Sequence, residues 1–207
     1  AIHNDDVVVF LGDDLTDTPR PTTTNSYPTL VESFLTACYP ALRAHYINVG
    51  WSGDTVNRAL LRLDRDVLSK KATVIVICLG LNDAEYLPAN AQRLGVYRKD
   101  LTTLVGNCRR AGARVWLISP PSVDEDKGRK VRIQRAGHSG ATDLQAIGYN
   151  ATLREYATAV REIAAYTKSG FVDWFEASTA ARVRSRAGDP DFSLTTNGLN
   201  PSDRSYA

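Results

Sequence analysis

Five short apolar runs, each separated from the next by helical periodicity, constrain this chain more than any other feature. They are Val7–Leu11, Tyr46–Val49, Thr73–Leu79, Arg114–Ser119 and Phe171–Trp174. Val7 to Phe10 is continuous and rich in β-branched residues, as expected of a strand buried on both faces. Between the runs, apolar residues return at helical spacing. Leu30, Phe34 and Cys38 form one stripe. Val56, Leu60, Leu63 and Val67 form a second, after the capping signal Asp54-Thr55. A third joins Leu94, Tyr97, Leu101, Leu104 and Cys108, and a fourth joins Tyr149, Leu153, Tyr156, Val160 and Ile163. Each stripe reads as core packing. Strand and helix in alternation imply an α/β chain: a five-stranded parallel sheet with helices on both faces and right-handed crossovers. No linker, repeat or low-complexity segment divides residues 1–207, which read as a single domain.

Composition narrows the function classes. A chain of 207 residues, 43% of them hydrophobic, has material for a full core. A net charge of +2 from 25 basic and 23 acidic residues argues against a dedicated nucleic-acid binder. No apolar stretch approaches the ~20 residues of a membrane span. No secretory leader is legible, yet a mature secreted chain would have lost one, so the compartment stays open. Cys38, Cys78 and Cys108 are too few and too far apart for a disulfide framework or a zinc site, and Cys78 and Cys108 read as small core residues. The longest stretch without periodicity, Pro120–Asp143, carries Lys127, Arg129, Lys130, Arg132 and Arg135. It reads as a solvated loop or, since long loops in compact domains are often functional, as a lid.

Chemistry is expected where three turns meet at the carboxyl edge of the sheet, the place where open α/β sheets bind ligands. The first is Gly12-Asp13-Asp14-Leu15-Thr16. The second is Asn48-Val49-Gly50-Trp51-Ser52-Gly53-Asp54, whose glycines allow close backbone approach to a ligand. The third is Gly80-Leu81-Asn82-Asp83. Backbone N–H groups of Asp14 and Gly53 and the Asn82 side-chain amide can converge on one point, an oxyanion hole in outline.

These blocks resemble the SGNH (GDSL-type) hydrolases. Gly12-Asp13-Asp14-Leu15-Thr16 is similar to the family's Gly-Asp-Ser-Leu-Thr, Gly53 to the glycine of its second block, and Asn82 to the asparagine of its third. Asn197-Gly198-Leu199-Asn200-Pro201 lines up with the last block, Asp-Gly-x-His-Pro. The resemblance covers nearly the whole chain in order and implies the family's three-layer α/β/α, flavodoxin-like fold. The chain ends at Ala207, where family members usually begin a final helix. The resemblance also implies that Asp14 stands where the family has its nucleophilic serine, and that Asn197 and Asn200 stand where it has the aspartate and histidine of its triad.

An asparagine is no general base near neutral pH, and a carboxylate is a poor stand-in for an activated serine. The ordinary serine-esterase mechanism is therefore not expected. Three readings follow. The chain is silent toward esters and binds a carbohydrate or an acylated small molecule, with Trp51 as a stacking surface or simply as packing. It is a hydrolase using Asp14 as nucleophile or acid/base, with Asp13, Asp54 or Asp83 as partner, unless those three only cap and brace turns. Or it is an active esterase whose triad positions have been changed. A replacement histidine is scarce: His3 and His45 precede strands and belong at the far edge, which leaves His138 in the 120–143 stretch. An acidic pair after a first strand can hold Mg²⁺ in phospho-acceptor receiver domains, but Phe171–Glu176 lacks the lysine such a site needs. No metal or cofactor is expected; the expected partner is a small molecule or carbohydrate, not nucleic acid or membrane.

Overall fold

The computed structural model describes residues 2–17, 26–127, 131–135 and 138–195. Five parallel strands form the main sheet in the order β2-β1-β3-β4-β7: β1 Val7–Gly12, β2 His45–Asn48, β3 Val74–Cys78, β4 Arg114–Ile118 and β7 Gly170–Val172. All five coincide with the five apolar runs to within a few residues. The helices that connect them are α1 Tyr27–Cys38, α2 Val56–Asp66, α3 Ala91–Arg110, α4 Leu144–Ile147, α5 Tyr149–Thr167 and α6 Trp174–Gly188.

The period of two along each strand sorts side chains between the two faces of the sheet. Val9, Leu11, Ile75, Ile77, Val115 and Leu117 are buried in one large cluster with residues of α2, α3 and α5. Val8, Phe10 and Val74 point the other way and meet Tyr27 of α1 in a smaller cluster. The result is a three-layer α/β/α sandwich, with β1 and β3 buried on both faces as their unbroken apolar sequences require.

Three expectations are corrected. The Leu30–Phe34–Cys38 stripe is not core: Phe34 is 59% exposed and Cys38 is exposed, and within α1 only Pro28 is buried. Among the described residues, α1 and the strands opposite leave an apolar groove of about 480 Å³ between Phe34, Leu35, Val76 and Trp116. The stretch Pro120–Asp143 is not wholly irregular, since β5 Val131–Arg135 and β6 His138–Thr142 pair antiparallel. Finally, Trp174 does not end the last strand; it begins α6, capped by Asp173, whose Oδ1 accepts the Glu176 amide at 3.1 Å.

Asp6 ties the amino-terminal edge of the sheet. Its carboxylate accepts from Thr73 Oγ1 at 2.7 Å, Arg114 Nη2 at 2.5 Å and the His3 amide at 2.6 Å, joining the entries to β1, β3 and β4. Burial acts to raise this carboxyl, but the bonds from Arg114, Thr73 and His3 outweigh it and hold the pKa at about 2, against an ordinary 3.8. Because the folded value is the lower one, the stabilisation is present above the unfolded value and fades as pH falls through the folded one. On the order of 2 kcal/mol should therefore be lost between about pH 5 and pH 2. Urea unfolding across that range should show a shallower loss for Asp6→Asn than for the unaltered chain; parallel slopes would contradict the assignment.

Candidate functional site

At the end of β1 the chain turns sharply over Asp13. The Asp13 carbonyl accepts from the amides of Thr16 at 3.0 Å and Asp17 at 2.8 Å, and its Oδ1 accepts the Leu15 amide at 3.1 Å. This Asx-type turn leaves Asp13 wholly buried and Asp14 half-buried at the carboxyl edge.

The second loop is laced onto the first. Ladder bonding continues beyond β2 through Val49 N–H to Phe10 O and Trp51 N–H to Gly12 O, both 2.9 Å. The Asn48 amide donates to Thr16 O at 2.7 Å and accepts the Gly50 N–H at 2.8 Å. Asp17 Oδ2 accepts from Ser52 N at 3.1 Å and Ser52 Oγ at 2.8 Å. A Cβ at Gly50 would lie 2.3 Å from the Asp17 nitrogen, so only glycine lets the loops approach this closely. Gly53 sits at φ +73°, a left-handed conformation that favours glycine. Behind the loop, Arg62 of α2 binds buried Asp54 Oδ2 through Nε at 2.9 Å and Nη2 at 2.7 Å, and its Nη1 donates to Val49 O at 2.8 Å. The N-cap of α2 is Thr55, whose hydroxyl accepts the Arg58 amide.

The third loop presents Asn82. Its Oδ1 accepts the Tyr86 hydroxyl at 2.8 Å, which leaves Nδ2 to face the other way. Tyr86 is itself stacked on buried Tyr149, with ring centroids 5.3 Å apart, and the Tyr149 hydroxyl donates to Leu81 O at 2.6 Å. The three loops then meet on one atom. Asp14 Oδ2 accepts the Gly53 N–H at 2.9 Å and the Asn82 Nδ2 at 2.7 Å.

Of the residues singled out in the sequence, Asp14, Gly53 and Asn82 are in direct contact. Trp51 stands on the second loop, 51% exposed, with the Arg62 guanidinium 5.9 Å from its ring centroid. The other three aspartates have structural partners: Asp13 in the turn, Asp54 with Arg62, and Asp83 through Oδ1 to the Val56 amide at 3.0 Å, which braces the start of α2. His3 and His45 lie at the amino-terminal edge of the sheet. Asn197, Asn200 and the His138 side chain lie outside the described residues. Among the described residues, no group of three or more histidine, cysteine or carboxylate side chains is arranged to hold a metal ion. No helix among them is long and apolar enough to cross a membrane.

Sequence reasoning missed the positioning residues Asn48, Asp17, Arg62, Tyr86 and Asp124. Buried Asp124 accepts from Ser193 Oγ at 2.6 Å, Leu194 N at 2.9 Å and Thr195 Oγ1 at 3.0 Å, and Arg186 pairs with it at 3.3 Å. It thereby anchors the segment that leads toward Asn197.

Burial pushes the Asp13 carboxyl well above the usual carboxylate range, and the neighbouring Asp14 pushes it further, against a smaller pull from the Leu15 amide. Its Oδ2 is buried without a hydrogen-bond partner. A folded pKa above the unfolded one means that this group's contribution is full below the unfolded value and is lost as pH rises. The stability of Asp13→Asn relative to the unaltered chain should therefore improve as pH is raised from about 4 to 7, as measured by thermal unfolding. A difference that does not change with pH would contradict the buried, proton-holding carboxyl.

Fold and site together define the class: a three-layer α/β/α protein with a polar site at the carboxyl edge of a parallel sheet. Residues 10–207 match the GDSL-like Lipase/Acylhydrolase family, and the chain belongs to that family. It is 27% identical over 187 residues to an acetylxylan esterase of Geobacillus stearothermophilus, an overlap of 83% of this chain and 77% of that protein. The crystal structure of an acetylxylan esterase from the same organism has the same fold, with a TM-score of 0.72 at 24% identity over 97% of this chain and 89% of that one. A gut microbial diltiazem-metabolizing enzyme gives a TM-score of 0.77 at 25% identity, covering 97% of this chain and 44% of that chain.

Proposed function

We propose that this protein binds a carbohydrate or an acylated small molecule in its family cleft and does not hydrolyse esters by the serine route. The observation that carries this reading is the position of the Asp14 carboxylate. Gly53 N–H and Asn82 Nδ2 are the kind of donors that an acyl-transfer site aims at a developing oxyanion. Here both are taken by Asp14 Oδ2. A tetrahedral intermediate would have to bring a second negative charge to donors already holding one.

The comparison with the Geobacillus enzyme supports the same reading. That esterase has been solved as catalytic mutants in which a serine, an aspartate and a histidine are replaced, the last two being three residues apart. The positions that resemble them here are Asp14, Asn197 and Asn200, with the same separation between the last two. With no alkoxide to form at position 14 and no imidazole at position 200 to accept its proton, the residues at these positions can bind and orient but not activate. That relative is named for a carbohydrate ester, which favours a saccharide as ligand. Exposed Trp51 offers an indole face beside the Gly53 loop.

Carboxylate-based hydrolysis through Asp14 fits less well. It needs a second carboxyl within reach of substrate, and Asp13 is buried, Asp54 is held by Arg62 and Asp83 braces α2.

The unaltered chain should therefore turn over 4-nitrophenyl acetate no faster than background. Asp14→Ser, Asn197→Asp and Asn200→His in combination should restore measurable esterase activity, and each alone should do almost nothing, because triad members act as a unit. Enzymic turnover by the unaltered chain, abolished by Asp14→Ala, would overturn the reading.

A further inference from the structure

The carboxylate that fills the hole has a second oxygen. Both donors go to Oδ2; among the described residues Oδ1 of Asp14 makes no hydrogen bond, and the side chain is only half-buried. We infer that Asp14 turns an acyl-carbonyl receptor into a hydroxyl acceptor, so that the cleft selects an unacylated saccharide or polyol and rejects the acylated form. This inference rests on the carbohydrate reading of the cleft given above.

An ionised carboxylate accepts hydrogen bonds and donates none. Whatever faces Oδ1 must therefore bring a donor. A hydroxyl does so, and a bond to a charged acceptor is roughly twice as strong as one between neutral groups. An acetyl group at the same place brings only a carbonyl oxygen and a methyl. It would set acceptor against acceptor and strip water from a charge without replacing it. Two of the donors that would have held that carbonyl, Gly53 N–H and Asn82 Nδ2, are occupied.

An ammonium group would also satisfy Oδ1, but the place of a cation on the neighbouring indole is already filled. The Arg62 guanidinium already lies against the Trp51 ring. The exposed indole of Trp51 also suits the apolar face of a sugar ring.

Isothermal titration of the unaltered protein with xylotriose and with acetylated xylotriose tests this. The unacylated sugar should bind at least about tenfold more tightly, the size expected for one charge-assisted hydrogen bond. Asp14→Asn keeps the shape but can turn an amide NH₂ toward the ligand, and Asp14→Ser vacates the hole; both should narrow or reverse the preference. Equal or tighter binding of the acetylated sugar by the unaltered chain would overturn the inference while leaving the carbohydrate reading intact. Binding of neither sugar would overturn that reading, and this inference with it.

Discussion

Two hydrogen bonds to a single carboxylate oxygen organise the functional end of this molecule. Asp14 Oδ2 draws one donor from the loop after β2 and another from the loop after β3, while Asp14 itself follows β1. Three adjacent parallel strands, β2, β1 and β3, are thus tied together at their carboxyl ends through one atom. Bonds from N–H donors to an ionised acceptor are stronger than neutral ones, and in a half-buried site they suffer less competition from water. In the function proposed above, the same two bonds have a chemical consequence: two of the three donors expected to stabilise an oxyanion are satisfied before any ligand arrives.

The scaffold keeps that junction in register by using its charges internally. Arg62 holds Asp54 and the Val49 carbonyl together, so the Gly53 loop is clamped to α2 from beneath. A buried ion pair of this kind gives little net stability, but removing one partner leaves an uncompensated charge and costs several kcal/mol. Tyr86 fixes the orientation of the Asn82 amide, and its own place is set by stacking on Tyr149 of α5. At the opposite end of the sheet, Asp6 binds Arg114 and Thr73 across the strand entries. Asp124 anchors residues 193–195 by the same means. Carboxylates therefore brace several of the turns; among the described residues, Asp14 differs from Asp6, Asp54 and Asp124 in keeping one oxygen unpaired on a half-buried side chain.

Much of the fold was legible because burial on both faces writes itself into local sequence. β1 and β3 are continuous β-branched runs, and the α3 and α5 stripes place Tyr97, Leu101, Tyr156 and Val160 in the core. What failed to read had weaker local signals. Val131 and Ile133 alternate with polar residues, but the basic composition around them hid the β5–β6 pairing. The α1 stripe has helical period, yet its Phe34 borders a groove and its Cys38 is exposed. In the site, Asp14, Gly53 and Asn82 stood out through their place in turns of characteristic composition. Asn48, Asp17, Tyr86 and Asp124 did not, because their roles depend on partners brought close only by the fold: Asn48 meets Thr16, and Asp124 meets Ser193. Sequence spacing locates groups that act on one point; it does not reveal the long-range bonds that hold them there.

The central claim is that the Asp14 carboxylate occupies the hole formed by Gly53 and Asn82. Nuclear magnetic resonance tests it most directly, through the scalar coupling transmitted across the hydrogen bond from the Gly53 amide nitrogen to the Asp14 side-chain carboxyl carbon. The account predicts a detectable coupling in the unaltered protein, together with a downfield Gly53 amide proton that moves upfield in Asp14→Ala. A Gly53 amide with no coupling to that carbon, and with a shift indifferent to Asp14→Ala, would contradict it.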